Sequence, residues 1–407
     1  MAKIGNIKLI DKPEKLDSGA AFLLRMPSPI SSTVPLDENS FVEVEKGNHY
    51  VVVRTIGLNE YKQAFRYGLE LAQKGLDILS IIGKADLSTR DVIDENLVWW
   101  SSGDEVNLRI TDTSSISFSI EKKGALLGDV IASYPVYSTA YRYFRLSQIT
   151  DDLFDAYRNM YLAFEFLASE SVPRKKTPTK SGKIQWESES LWLKRYLSSI
   201  NQEILTSTFY GILDYKQAFI DQIYKTARCS LFHAKDGESF FSPHGDIVDR
   251  KTVADAMDKL TRIFLLLSKE KNPSIRGLGA SMSTGSQKSM FISSYVNDSF
   301  FILSDDDSPF DQHEEGFDHP RYKNVIKSGT VTENPSITHE FSLIGKIKNI
   351  KTGGLTKIRC VELANEKTSL CTGILEVPLF IDGFDFIEIQ LNQKMISAKS
   401  AKQKFTM

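Results

Sequence analysis

The sequence predicts a multidomain α+β protein with an N-terminal mixed α/β part, a central all-α helical bundle and a C-terminal β-rich part. Three observations predict it. Valine-rich, partly alternating runs lie near the N-terminus. Four amphipathic segments of helical period follow one another between about 150 and 270. Alternation of period two then returns beyond a Gly/Ser-rich stretch. The expected boundaries are 1–133, 134–272, a linker at 273–290, and 291–407.

In the first part, "FVEVEKGNHYVVVRTIG" (41–57) suits two strands joined by a turn at Gly47-Asn48. The next segment places Tyr61, Phe65, Leu69, Leu76 and Leu79 near helical spacing, with Asn59 as N-cap and Gly83 as the stop. "LVWWSSGDEVNLRI" (97–110) reads as a hairpin turning at Ser102-Gly103-Asp104, and "SISFSIEKK" adds a further strand.

The central helices are expected at 150–170, 187–204, about 213–232 and about 248–270. The first carries Phe154, Tyr157, Tyr161, Phe164 and Leu167 on one face, with Thr150 and two aspartates at its dipole-favoured end. Phe219, Ile220, Ile223, Tyr224, Ala227 and Leu231 form the stripe of the third, and Val253, Met257, Leu260, Phe264 and Leu267 that of the fourth. "NPSIRGLGASMSTGSQKS" then reads as a linker. Beyond it, turns are expected at Asn297-Asp298 and Gly353-Gly354, and "FIEIQL" sends Ile387, Ile389 and Leu391 to one side.

Composition narrows the function classes. A 407-residue chain with 41% hydrophobic and 25% charged residues can bury sizeable cores. Its formal charge of −2 gives no global attraction for nucleic acid, so any basic partner surface is local. Cys229, Cys360 and Cys371 show no metal-ligand spacing and fit a reducing compartment. "MAKIGNIKLIDKPEK" lacks the apolar core of a signal peptide, and no run reaches the roughly 18–20 apolar residues of a membrane span. The expectation is a cytoplasmic protein that does not engage a membrane. Serine-hydrolase elbows, Cys–His nucleophile signatures and dinucleotide fingerprints are absent, and "STGSQKS" (283–289) does not satisfy G-x4-G-K-[ST].

The stretch that carries chemistry is "TARCSLFHAK" (226–235), which closes the third helix with Arg228 five positions ahead of His233. On an ideal α-helix five positions turn about 140°, so the two side chains do not share a face. They converge at a helix end near Phe232, or across two copies of the chain. Together they suit phosphodiester cleavage in RNA without a metal. An imidazole takes a proton from a 2′-hydroxyl or gives one to the leaving oxygen, and a guanidinium grips the phosphate. Set against this, both residues could simply interact with the last carbonyls of the helix.

Arg228-Cys-Ser-Leu-Phe-His233, after a long helix with an aromatic stripe and before a closing amphipathic helix, resembles the R-x4-6-H signature of HEPN domains. The resemblance covers about residues 135–270. It implies a HEPN-like central bundle and a metal-independent endoribonuclease of the toxin or phage-defence kind, needing no cofactor. It implies Arg228 and His233 as catalytic residues in a site completed by a second protomer. It implies tRNA, mRNA or rRNA as substrate, a homodimer or higher homo-oligomer, and an inhibitory or phage-derived trigger as a further partner. In active members the residue after the arginine is commonly Asn, Asp or His. Here it is Cys229, which leaves a second implication open: a non-catalytic dimerisation, ligand-binding or sensor scaffold.

Weaker clusters flank the motif. "SVPRKKTPTKSGK" (171–183) offers Lys175, Lys176 and Lys180 to an RNA backbone, or is a solvated loop. "YPVYSTAYRYFRL" (134–146) interleaves tyrosines with Arg142 and Arg145 as bases would stack, yet 134, 137, 141 and 144 are also spaced like a buried helical face. "FDQHEEGFDHPRY" (310–322) groups His313 and His319 with carboxylates at no recognised ligand spacing, so no metal is expected; His244 reads as a loop histidine.

Overall fold

The computed structural model describes residues 1–10, 16–90, 92, 95–115, 118–119, 121–122, 125–126, 137–150, 152–178, 184–232, 240–241, 247–271, 298–306, 325–329, 331–333, 341–348, 354–365, 369–394 and 405–406. The protein is mixed α and β, and it divides into two compact units. One comprises Met1–Ser115, His244–Asp246 and Ser283–Met395; the other comprises Ile116–Pro243, Ile247–Met282 and Ile396–Met407. Among the described residues no helix is long and apolar enough to cross a membrane.

The first unit contains a nine-stranded sheet. Its strands run in the order Thr332–Glu333, Phe341–Lys348, Phe386–Lys394, Glu105–Ser115, Asn96–Ser102, Ser18–Leu23, Tyr50–Thr55, Phe41–Val44, Ser32–Pro35. The turns expected at Gly47-Asn48 and Ser102-Gly103-Asp104 are present; Asn297 and Gly353, of the other two expected turns, lie outside the described residues. Gly47 (φ +80°) joins the strands Phe41–Val44 and Tyr50–Thr55, and Gly103 (φ +66°) sits in the two-residue loop closed by Ser102 and Glu105.

Helix α1 (Tyr61–Ile81) packs its Phe65, Leu69, Leu76 and Leu79 against this sheet. Two helix glycines allow the close approach: a Cβ on Gly68 would stand 2.6 Å from that of Ala20, and one on Gly75 would meet Val42 at 2.5 Å. The helix stops where expected. Gly83 (φ +70°) donates to Ser80 O and Lys84 to Leu79 O, the paired bonds of a Schellman motif. Its start falls one residue later than expected, with Glu60 rather than Asn59 at the N-cap and no side-chain cap.

The expected division into separate N-terminal and C-terminal domains is corrected. The strand Phe386–Lys394 lies parallel to Glu105–Ser115, in register from Phe386–Asn107 to Lys394–Ser115. The N-terminal strand Lys3–Ile4 pairs with Leu379–Phe380 in a second, six-stranded sheet. Strands from before and after the helical segment therefore share sheets in one unit. "FIEIQL" does bury Ile387, Ile389 and Leu391 on one side, but its opposite face is buried too, at Glu388, Gln390 and Asn392. Of "SISFSIEKK", Phe118–Ser119 and Glu121–Lys122 are strand.

Two polar clusters lie inside this unit. Arg109 donates through Nε and Nη2 to Glu388 (2.9 and 2.5 Å) and through Nη1 to Gln390, while its guanidinium stacks on Tyr61 at 3.6 Å from the ring centroid. Elsewhere the Tyr50 hydroxyl donates to Glu95 at 2.5 Å. Burial pushes the Glu95 carboxyl up to about 7, against the lowering effect of that hydrogen bond.

The second unit is built on helices α2 (Ala140–Ile149), α3 (Leu153–Ser171), α4 (Glu189–Ser199), α5 (Gln202–Thr208), α6 (Tyr215–Phe219), a short turn α7 (Ser230–Phe232) and α8 (Ile247–Lys271). Their apolar faces share one core, in which Tyr157, Tyr161, Phe164, Trp192, Phe219 and Phe264 are fully buried. α3 is capped by one of the two expected aspartates, Asp152, which accepts from Asp155 N. The helix expected at 187–204 is broken. Ile200 is extended and Asn201 caps a new helix by accepting from Glu203 N. In α2, Phe144 stacks on Phe264 at 5.0 Å and Tyr141 meets the same ring edge-on, so these two aromatics pack in the core while Arg142 and Arg145 remain exposed. The basic loop at 171–183 contains a β-hairpin strand: Lys176–Pro178 pairs antiparallel with Ile184–Trp186.

The Gly/Ser-rich linker, the histidine-bearing segment 310–322 and His244 lie outside the described residues.

Candidate functional site

Arg228 sits near the end of a ten-residue π-helix, Ile220–Cys229, that continues α6 and leads into the turn Ser230–Phe232. A 3.6-residue period was expected here. π-Helical segments are uncommon and are enriched at functional sites. The neighbouring helix α3 holds this segment by its backbone on both sides of Arg228. The buried Tyr157 hydroxyl donates to Ile223 O at 2.8 Å, and Arg158 Nη2 donates to Leu231 O at 3.0 Å. Ile223, Ala227 and Leu231 point into the core, which leaves Arg228 on the side facing α4.

There the guanidinium enters an acidic and aromatic enclosure. Its Nη2 lies 3.0 Å from Glu189 Oε2, and its Cζ lies 4.9 Å from the Phe232 ring centroid and 5.6 Å from those of Tyr161 and Tyr224. The second oxygen of Glu189 accepts from the Tyr161 hydroxyl at 2.9 Å. Glu189 is the first residue of α4, behind the cap Ser188, whose side chain accepts from Leu191 N. A carboxylate is favoured at that end of the helix dipole, so the local sequence both starts α4 and delivers the arginine's partner.

The guanidinium is not saturated by this enclosure. Its Nε is buried and finds no hydrogen-bond acceptor among the described residues. Burial acts most strongly and lowers the Arg228 pKa, but Glu189, Tyr161 and Cys229 together outweigh it and the net direction is upward, so the cation is secured. The Tyr161 hydroxyl is held well above its ordinary range by burial and then by Glu189. Glu165, one turn further along α3, is raised by burial and by Glu189, with Arg228 and Arg174 pulling the other way. Arg174 thus belongs to the same electrostatic neighbourhood.

These contacts place the sequence-derived residues as follows. Arg228 lies in the enclosure formed by Glu189, Tyr161, Tyr224 and Phe232. It does not cap the helix: the Leu231 carbonyl is taken by Arg158, and Arg228 turns to Glu189. Lys175 and Lys176 are exposed on the hairpin that precedes α4. His233 and Lys180 lie outside the described residues. Cys229 is a partly exposed free thiol beside Arg228. Glu189, Tyr161, Tyr224 and Phe232 were not singled out as site residues. Tyr161 was visible only as part of a stripe, and "SES" before "LWL" marked a helix start rather than a partner for a distant arginine. Among the described residues no group of histidine, cysteine, aspartate and glutamate could hold a metal ion.

Comparison with protein-family models, with curated proteins and with solved structures finds no match to this chain. Function therefore has to be read from the site.

Proposed function

We propose that the protein is a metal-independent endoribonuclease with a HEPN-like helical domain, acting in antiphage defence or as a toxin. The observation that carries this reading is Arg228 itself: a secured cation, positioned by a π-helix and an aromatic enclosure, with donor capacity left over. A guanidinium so held offers fixed donors to a phosphate and to the charge that develops on it.

In this mechanism His233 removes the proton of a ribose 2′-hydroxyl. The resulting oxygen attacks the adjacent phosphorus, the bond to the 5′-oxygen breaks, and that oxygen leaves with a proton from an acid. The products are a 2′,3′-cyclic phosphate and a 5′-hydroxyl, and no metal or redox partner enters the balance. A second copy of the motif in a homodimer supplies the acid. The phosphate competes with Glu189 for Arg228, so Glu189 orients the guanidinium before substrate arrives. Lys175, Lys176 and Lys180 bring the RNA backbone to the site.

One observation favours the second reading, a non-catalytic dimerisation, ligand-binding or sensor scaffold. Arg228 already has a carboxylate partner and three rings around it, which suffices for a purely architectural arginine. Controlled expression separates the two. The nuclease reading expects growth arrest and new RNA 5′ ends with the parent, both relieved by His233→Ala. Arrest by parent and variant alike, with intact RNA, supports the scaffold.

A further inference from the structure

We infer that the hairpin Lys176–Pro178/Ile184–Trp186 is a stacking platform for unpaired bases of a single-stranded RNA, with its base a few residues along the chain from Glu189 of the Arg228 site. An isolated two-stranded hairpin is marginal in water, so its persistence here needs a cause. Glu187 provides it. Lys175 N donates to the Glu187 carboxylate at 2.7 Å, Glu187 N donates to Lys175 O at 2.9 Å, and Arg174 Nη2 donates to Glu187 O at 2.6 Å. Arg195 closes the cluster by an ion pair with the same carboxylate. The frame is thus fixed at its base while its strand Ile184–Trp186 stays exposed throughout.

What that strand exposes is unusual for a two-stranded element. Ile184 is 73% and Trp186 54% exposed, and at positions i and i+2 they face the same side. Lys176, the register partner of Trp186, sets its ammonium 4.7 Å from the indole centroid. An indole, an aliphatic side chain and a cation on one open face match a nucleobase and its phosphate.

Charge decides between this occupant and a second copy of the chain. Between Glu170 and Glu187 the sequence holds Arg174, Lys175, Lys176, Lys180 and Lys183 and no acidic residue, so two such hairpins repel each other and attract a polyanion. The path to the candidate site is short. Trp186 and Glu189 are three residues apart, which bounds their Cα separation at about 11 Å. Arg174, at the hairpin base, already acts on Glu165 alongside Arg228. A single strand lying across Trp186 is thereby led toward Arg228. The ligand class rests on the ribonuclease proposal; the platform itself is tested by binding, without cleavage.

The full-length His233→Ala protein, titrated with an unstructured A/U-rich RNA oligonucleotide while tryptophan fluorescence is followed, reports on this face. Of the four tryptophans, Trp99, Trp100 and Trp192 are buried, so a change reads Trp186. The expected result is saturable quenching, with the same sequence as a duplex binding more weakly. Trp186→Ala has lost this reporter, so its affinity is read from the anisotropy of the same oligonucleotide carrying a terminal dye, and single-strand binding should weaken by about 5- to 150-fold, from the usual worth of one base–aromatic stack. Trp186→Phe should recover part of it. Lys176→Ala should lower the slope of log affinity against log salt by about 0.7. Equal affinities for parent and Trp186→Ala, or no RNA binding by the parent, overturn the inference. So does a Trp186→Ala protein whose sedimentation shows lost self-association while RNA affinity is unchanged. If His233→Ala still cleaves the oligonucleotide but Trp186 is quenched as described, the platform stands and the catalytic assignment falls.

Discussion

Each unit of this protein holds a half-buried arginine between a glutamate and aromatic rings, and the two are used differently. Arg109, in the β-rich unit, spends Nε and Nη2 on Glu388 and Nη1 on Gln390, and sits over Tyr61. Glu388 in turn also holds Lys346 at 2.9 Å. All three guanidinium nitrogens of Arg109 find an acceptor, and the cluster ties three adjacent strands to α1. Arg228, in the helical unit, makes one close carboxylate contact, keeps its rings at 4.9–5.6 Å and retains a buried Nε with no acceptor among the described residues. A saturated arginine stabilises a fold; the spare Nε of Arg228 is what the proposed phosphate contact would use.

The largest expected effect lies on the Arg228 side. His233→Ala should lower RNA cleavage by about 10²–10⁴-fold, the usual range for losing a general acid or base, while leaving the melting temperature unchanged. Arg228→Ala should lower cleavage by about 10²–10³-fold. Its stability cost should be only about 1–3 kcal/mol, because Glu189 keeps the Tyr161 hydroxyl. Arg109→Ala should show the reverse pattern in urea unfolding. It leaves Glu388 buried with Lys346 alone and should cost about 3–5 kcal/mol. Equal stability losses for the two arginines would erase the distinction.

The carboxylates extend the contrast to pH. Arg109 and Lys346 hold Glu388 below the ordinary range despite its burial, so its contribution is present above the unfolded pKa and lost as pH falls. Glu95 runs the other way. Its folded pKa of about 7 lies above the ordinary 4.5, so its contribution is fully present below pH 4.5 and lost as pH rises through 7. The loss amounts to about 3 kcal/mol. Glu95→Gln should flatten that part of the stability–pH curve measured by chemical denaturation, and a curve unchanged by the substitution would show that Glu95 is not the group responsible. The smallest effect is expected for Glu189→Gln. It preserves an acceptor for Tyr161, removes the charge competing for Arg228, and should tighten RNA binding by about two- to fivefold.

How much of this was legible in the sequence follows the range of the interactions. Local signals sufficed for the turns at Gly47 and Gly103, for the stop of α1 at Gly83, and for the stripes of α3 and α8. Each is decided within a few residues by φ > 0 or by helical period. The parallel pairing of Phe386–Lys394 with Glu105–Ser115 was not legible, since nothing near residue 386 specifies a partner almost three hundred positions away. The break at Ile200 went unseen because the apolar spacing runs on across Asn201, although asparagine is itself a favoured cap. The π-helix was hidden because its buried residues, Ile220, Ile223, Ala227 and Leu231, recur at spacings an α-helix also allows. Of the site, Arg228 was found by its motif. Glu189 was not, as an ion pair across two helices leaves no trace in spacing.

The most direct test of the Arg228 assignment is chemical. Purified protein incubated with total RNA and with tRNA in excess chelator, followed by end-group analysis, should yield 2′,3′-cyclic phosphate and 5′-hydroxyl termini. His233→Ala and Arg228→Ala should yield neither. Intact RNA with the folded parent, termini that require a divalent metal, or undiminished cleavage by both variants would contradict it.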